Sequence, residues 1–392
     1  MAKRNNVGYL TAKESRRISR ENRRITDQFE KRHKRKNVPE SEYLTEMKDS
    51  NNAVEFDNLH TYFFTDAGIV KAVDGVSFEV PQGKTVGIVG ESGCGKSVTS
   101  LSFMRLLQRP QGQTVAGEIR LNLGDKAYDV TKAPDVVMQN LRGNYVSMIF
   151  QEPMTALNPV FRIGNQIDEV ISLHDGEGKS EEEIKNRSIE MLELVGIANA
   201  EGVYKMYPHE LSGGMRQRAM IAMALACNPR VIIADEPTTA LDVTIQAQIL
   251  DILRNLKDKI NSSIMFITHD LGVIAEMADY VVVMYSGRIV EKGTADDIFH
   301  HPSHPYTIGL MNSKPVVGKK VDMLYSIPGK VPNPIDMPNY CYFKDRCEQC
   351  IEKCNGEYPH IVSLSDTHKV VCYKYYDQGT VDYEDRKEVE VF

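Results

Sequence analysis

"GESGCGKS", Gly90 to Ser97, decides the fold of this chain. It fits the pattern G-x-x-x-x-G-K-[ST]. The apolar run "TVGIV" (85–89) precedes it, and "SVTSLSFMRLL" (97–107), which reads as a helix, follows. Strand, glycine loop and helix in that order make a phosphate-binding loop. The chemistry needs these residue types. Gly93 and Gly95 let backbone N–H groups curl around phosphate oxygens at the positive end of the following helix. Gly90, Glu91, Ser92, Cys94 and Val98 complete the cradle, with Cys94 read as a small filler. Lys96 places a compact charge near the β and γ phosphates, and the Ser97 hydroxyl can ligate Mg²⁺.

"VIIADEP" (231–237) supplies the second half of such a site. Four apolar residues end in Asp235 at the mouth of the sheet, where it can hold the metal through its hydration shell. Glu236, the next residue, is placed to polarise an attacking water. Other short apolar runs, "VSMIF" (146–150), "IMFIT" (264–268) and "YVVVM" (280–284), suit strands of a parallel sheet covered by helices on both faces. Helical stripes lie between them. Ile184, Met191, Leu192 and Val195 share one face that stops at Gly196, and Ile245, Ile249, Ile252, Leu253 and Leu256 share another. Strand–helix alternation over about 240 residues predicts an α/β domain.

The ends differ from this body. The chain of 392 residues carries a net charge of −7, yet residues 1–36 hold 13 Lys and Arg against four Asp and Glu, leaving an acidic remainder. Residues 1–50 read as a basic arm whose apolar points, Ile18, Ile25 and Phe29, make too thin a stripe to hold a core. A solvated, partly helical tail is the plain expectation. A basic helix on anionic headgroups or an acidic partner is the sharper one. The start is charged from residue 3 and no run approaches the length of a membrane span, which predicts a cytosolic address without a secretory signal. After residue 300 the pattern breaks into "HHPSHPYT", the Pro-rich "IPGKVPNPIDMP" and a cysteine segment, which reads as a small second domain with little apolar core.

"LSGGMRQR", Leu211 to Arg218, resembles the signature motif of ATP-binding cassette (ABC) ATPases. Further matches follow in family order. Gln151 in "IFQEP" resembles the glutamine loop, "TTALD" ending at Asp242 the D-loop, and His269 in "ITHD" the switch histidine. Phe63, or its neighbour Tyr62, sits where the family stacks adenine. The resemblance spans roughly residues 53–300. It implies a P-loop ABC nucleotide-binding domain over 51–300, with a RecA-like core plus antiparallel β and helical subdomains. It further implies head-to-tail dimers in which Ser212, Gly213 and Gly214 face the γ-phosphate of ATP held by the other subunit. Lys96, Gln151, Glu236 and His269 are the catalytic set so implied, with Mg²⁺ at Ser97, Gln151 and Asp235.

Ser97 and Ser212 lie 115 positions apart without sustained heptads, unlike chromosome-type members. The acidic body and an arm without interleaved aromatics argue against nucleic acid as partner. "HPYTIGL", "IPGKVPNP", the cysteine region and "HKVVC" are similar to the extension, here 301–392, on ATPase subunits of bacterial oligopeptide and dipeptide importers. That similarity implies a peripheral protein at the cytoplasmic face of the cell membrane. It would pair with a second, paralogous ATPase beneath two permease subunits served by an extracytoplasmic peptide-binding protein. Importers of nickel, glutathione and some sugars share the subfamily.

Four of the seven cysteines fall in "CYFKDRCEQCIEKC" (341–354). In a reducing compartment clustered cysteines are metal ligands more often than disulfides. Some members of the family hold a [4Fe–4S] cluster at positions matching Cys341, Cys347, Cys354 and Cys372. Cys350 departs from that pattern and creates a local C-x2-C, the spacing that a structural Zn²⁺ site favours, so zinc stands as the alternative, with free thiols as the third reading.

Overall fold

The computed structural model describes residues 11–174, 178–239, 241–313, 325–383 and 385. Its strands run, in chain order, β1 (Leu44–Thr45), β2 (Asn52–Thr65), β3 (Gly68–Pro81), β4 (Thr85–Val89), β5 (Gly112–Asn122), β6 (Ala127–Asp129) and β7 (Val146–Ile149). They continue with β8 (Val231–Asp235), β9 (Ser263–Ile267), β10 (Tyr280–Tyr285), β11 (Arg288–Thr294), β12 (Ile361–Ser363), β13 (Lys369–Val370) and β14 (Thr380–Asp382).

Two sheets result. The larger has the order β14-β12-β13-β11-β10-β4-β9-β8-β7, and its centre, from β10 to β7, is parallel. The five apolar runs singled out in the sequence are these five central strands. β4, β7, β8 and β9 are buried at every position, the consequence of helices covering both faces. The smaller sheet, β1-β6-β5-β2-β3, is antiparallel throughout. Two apolar cores divide the molecule along the parallel sheet. One joins that sheet to the antiparallel sheet through Phe56, Phe78, Ile88 and Met284. The other packs its opposite face against the helices, including Ile163–His174, Glu181–Leu194, Gly213–Leu225 and Val243–Ile260.

The basic arm is docked rather than free. Residues Ala12–His33 form one helix opened by a capping box between Thr11 and Glu14, and it lies against β2. Polar anchors supplement the thin apolar stripe. Asn22 Nδ2 donates to the Thr65 carbonyl at 2.8 Å, Ser19 Oγ to Asp66 at 2.6 Å, and Gln113 Nε2 to Glu30 at 2.9 Å. Phe29 is the buried apolar plug, 5% exposed. Downstream, β1 pairs with β6, so residues 44–45 are already part of the antiparallel sheet.

The expected separate second domain is also corrected. β13 pairs with β11, β12 with β13 and β14 with β12, so the C-terminal segment prolongs the main sheet. Tyr306, Tyr342, Phe343, Tyr358 and Val371 belong to the same core as the central strands. A core-poor segment gains burial by joining an existing sheet edge, which removes the need for a core of its own. Among the described residues no helix is long and apolar enough to cross a membrane.

Candidate functional site

Neighbouring parallel strands deliver their chemistry to one end of the sheet. In the order β4, β9, β8, β7, the C-terminal ends lead into the phosphate loop, His269, Asp235–Glu236 and Gln151. In an open α/β sheet that edge is where ligands bind. Residues separated by up to about 180 positions in sequence are brought together by strand order alone.

The phosphate loop is held by close backbone packing. Gly93 and Gly95 have φ of 79° and 101°, and a Cβ at Gly95 would stand 2.4 Å from the carbonyl oxygen of Ala72. Only glycine fits there. Gly95 caps the helix Lys96–Phe103, while Ser92 and Gly93 stand exposed at the loop tip. Lys96 is 6% exposed, and its Nζ donates to the carbonyls of Gly90 at 2.8 Å and Glu91 at 3.1 Å. The ammonium is therefore already poised inside the loop. Cys94 is fully buried, and burial pushes its thiol up, which fits the filler reading.

Ser97 Oγ donates to Asp235 Oδ1 at 3.1 Å, joining the two halves of the expected metal site. Burial, then the neighbouring Glu236 charge, raises the Asp235 carboxyl, and the Ser97 hydrogen bond opposes this. A carboxylate so disfavoured gains from a cation beside it. Ser97 and Asp235 fit Mg²⁺ as a donor set.

Glu236 is the hub. It takes the left-handed backbone at φ 47°, with its N–H donating to the Ile267 carbonyl at 2.8 Å. Non-glycine residues there carry strain, and such strain concentrates at functional sites. Its Oε2 accepts from Gln151 Nε2 at 3.0 Å and Thr239 Oγ1 at 2.9 Å, and Oε1 lies 3.2 Å from His269 Nδ1. Burial raises its carboxyl, but hydrogen bonds from His269 and Thr239 outweigh this and hold it below its ordinary value. Glu236 is thus an ionised acceptor at neutral pH, aimed where His269 and Gln151 converge.

The adenine-stacking choice narrows. Tyr62 is 3% exposed and its hydroxyl donates to buried Asp74 at 2.7 Å, so it is committed to the interior. Phe63 is half-buried and pairs with Val70, two residues from the Ala72 carbonyl that touches the loop.

Ser212, Gly213, Gly214 and Asp242 form a different group. Ser212 caps the helix Gly213–Leu225, and Asp242 caps Val243–Ile260. All four line one open hollow of about 700 Å³ that contains none of the phosphate-loop residues. The signature helix is tied to the Asp-Glu-Pro turn by Gln217 Nε2, which donates to the Pro237 carbonyl at 2.6 Å. Within one chain, therefore, the signature stretch and the phosphate loop line separate places.

Cys341, Cys347, Cys354 and Cys372 line one cavity of about 270 Å³, and Cys350 does not. Burial pushes the Cys341 thiol up to about 12 and that of Cys372 to about 11, with the neighbouring sulfurs adding to the rise. The sequence expectation of a metal-binding domain goes further than this arrangement. Among the described residues no three His, Cys, Asp or Glu side chains are disposed to hold a metal ion. All seven cysteines are free of disulfides.

Sequence reasoning missed Thr239, Gln217, Tyr306 and Arg346. Tyr306 accepts from the Glu91 N–H at 2.8 Å, and Arg346 grips the Glu91 carboxylate. Neither lies near the loop in sequence, and no local pattern announces the contact.

The chain matches two families: ABC transporter over residues 73–239, and oligopeptide/dipeptide transporter, C-terminal region, over residues 290–354. It is 50% identical over 326 residues to the oligopeptide transport ATP-binding protein AppD of Bacillus subtilis (strain 168), covering 83% of this chain and 98% of that one. It is 45% identical over 317 residues to the dipeptide transport ATP-binding protein DppD of Escherichia coli (strain K12), covering 81% and 95%. The dimeric structure of MJ0796, a bacterial ABC transporter cassette, superposes with a TM-score of 0.54 at 25% identity, covering 62% of this chain and all but 2% of that one. Together with the site geometry, these likenesses establish that the chain belongs to the ABC transporter ATPases that carry the oligopeptide/dipeptide transporter C-terminal region.

Proposed function

We propose that the chain hydrolyses ATP to drive import of oligopeptides or dipeptides through a membrane ABC transporter. The observation that carries this reading is the convergence of Lys96, Ser97, Asp235, Glu236, Gln151 and His269 at one sheet edge, on a chain with the peptide-transporter C-terminal region.

The chain's own residues divide the work. Lys96 leaves its carbonyl partners to meet the β and γ phosphates, while the loop N–H groups bind their oxygens. Ser97, Asp235 and Gln151 would hold Mg²⁺, which neutralises phosphate charge when bound. Glu236 accepts a hydrogen bond from the attacking water and takes its proton at a carboxylate oxygen. His269 and Gln151, which hold Glu236 in the resting chain, are free to turn toward the γ-phosphate once it arrives. Ser212, Gly213 and Gly214, standing apart from the loop, complete the site across a head-to-tail interface with a second, paralogous ATPase. Closing that interface around ATP and opening it after hydrolysis is a two-state motion biased by nucleotide contacts.

The pair of ATPases acts beneath two permease subunits at the cytoplasmic face of the membrane, and an extracytoplasmic binding protein delivers peptide. Purification of the complex under native conditions tests the assignment. The expected result is one paralogous ATPase, two permeases and ATP turnover that rises with peptide-loaded binding protein. Turnover indifferent to peptides, but stimulated by a metal chelate or a sugar, would overturn the cargo.

The cysteine cavity is proposed to hold a [4Fe–4S] cluster. A single Zn²⁺ requires four sulfurs about 2.3 Å from one point. What supports the cluster is that Cys341, Cys347, Cys354 and Cys372, the four positions the family resemblance gives as its ligands, line one cavity of about 270 Å³. The cluster would stiffen a short segment and needs no redox partner. Anaerobically purified protein should be brown, with bound iron and sulfide; stoichiometric zinc without iron refutes it.

A further inference from the structure

Glu91, the second residue of the phosphate loop, is gripped from the C-terminal segment at both its backbone and its side chain. Its N–H donates to Tyr306 Oη at 2.8 Å. Its carboxylate accepts two parallel bonds from Arg346, Nη1 to Oε2 at 2.6 Å and Nη2 to Oε1 at 2.9 Å. The forked geometry fixes direction as well as distance, which a lysine at 346 could not do.

Arg346 is itself tightly seated. Its side chain is 5% exposed, Nε donates to the Pro328 carbonyl at 2.9 Å, and Nη1 reaches Tyr285 Oη at 3.4 Å. It closes the short turn Lys344–Arg346, whose flanks are Cys341 and Cys347 of the thiol-lined cavity. Backbone bonds secure that turn: Lys344 N–H to the Cys341 carbonyl, and Arg346 N–H to that of Phe343. The same Glu91 offers its carbonyl to Lys96 Nζ at 3.1 Å. One residue of the loop therefore contacts both the nucleotide-binding lysine and the C-terminal segment, 255 positions downstream.

We infer that Arg346 is a positioning residue for ATP binding, through which the cysteine-bearing segment holds the phosphate loop in its receptive shape. Arg346 touches no nucleotide in this role. It fixes Glu91, and Glu91 in turn fixes the peptide planes that present N–H groups to phosphate. The carboxylate also stays neutralised, so the loop does not turn a bare negative charge toward an anionic ligand. The inference rests on the ATP-site reading above and adds a residue to it.

Titration of the full-length protein with mant-ATP and Mg²⁺ tests it, using R346Q, E91Q, the double variant and R346K. R346Q and E91Q are each expected to weaken binding about tenfold, and the double variant no more than either alone, since one pair is lost in every case. R346K keeps the charge without the fork and loses about half of that effect on a logarithmic scale. In ATP hydrolysis KM should rise while kcat stays within about twofold, the pattern of a binding-only defect. Should R346Q fold poorly, E91Q removes the same pair from its more exposed side. Unchanged affinity in E91Q, or additive losses in the double variant, overturns the inference. K96A separates the two readings. Its expected loss of binding beside an unaffected E91Q removes the clamp alone, whereas parental binding in K96A removes the site reading and the inference with it.

Discussion

Replacing Glu236 by Gln isolates the proton-accepting step from nucleotide binding. The Glu236 carboxylate has three hydrogen-bond partners, Gln151, Thr239 and His269, and none of these bonds involves the phosphate loop. A glutamine has the same shape and keeps one acceptor oxygen, so the helix ends and the strained turn at φ 47° are retained. It cannot take a proton. A positioned general base contributes about 10²–10⁴-fold, so kcat should fall by that factor, about 3–5.5 kcal/mol of barrier. Lys96, Ser97 and Asp235 keep their own contacts, so ATP affinity should change less than about threefold. The assays are steady-state phosphate release and equilibrium binding of a fluorescent ATP analogue on the same preparation. With its partner ATPase present, the variant should also accumulate as a closed, ATP-bound pair, visible by size-exclusion chromatography. Phosphate release within about threefold of the parent would refute the assignment of Glu236 as base. Loss of binding in parallel with turnover would show instead that the carboxylate supports the fold of the site.

Asp74 should be the most sensitive acidic group for stability. It is 3% exposed and receives Tyr62 Oη at 2.7 Å and both Nε and Nη2 of Arg288, at 3.0 and 2.6 Å. D74N leaves the Arg288 cation uncompensated and should cost about 3–5 kcal/mol in urea unfolding. Burial raises the Asp74 carboxyl, but the His60 hydrogen bond, the Arg288 charge and the Tyr62 hydrogen bond prevail and hold it well below the usual carboxylate range. Its stabilisation is therefore full above about pH 4, the unfolded value, and is lost as pH falls toward the depressed folded value. The acid-side slope of unfolding free energy against pH should be shallower in D74N; equal slopes would refute this account. F29A and N22A should raise amide exchange across residues 12–33 and leave the parallel sheet protected, because these side chains anchor only the docked helix. C350S should retain the iron content of the parent and C347S should lose it, since only the second thiol lines the cavity; equal retention would displace the proposed ligand set.

The extent of what was legible in sequence follows physical range. Phosphate loop, strands and signature are local patterns: a glycine where φ is positive, an apolar run where both faces are covered, a Ser before a helix. These patterns identified β4, β7, β8, β9 and β10 and the helices that stop at Gly196 and Asn261. The thin apolar stripe of residues 12–33 misled, because Asn22, Ser19 and Glu30 anchor that helix through partners on β2, β5 and the β2–β3 turn that no periodicity reveals. The C-terminal segment misled for a similar reason. Its strands are two or three residues long, and they reach the main sheet through the pairing of β13 with β11, an edge that only the folded sheet offers.

The sequence by itself determined the chemistry on offer: which residues suit a phosphate, which carboxylates stand side by side, and which cysteines form a group. All of this is written in short spacings that local backbone geometry enforces. Tertiary structure alone decided who meets whom. Strand order carried His269 and Gln151 to Glu236, and left Ser212 and Asp242 in a hollow of their own. Folding of the C-terminal segment onto the sheet edge brought Arg346 to Glu91. Contacts across 255 positions depend on the packing of every strand between them, and no local pattern can encode that sum.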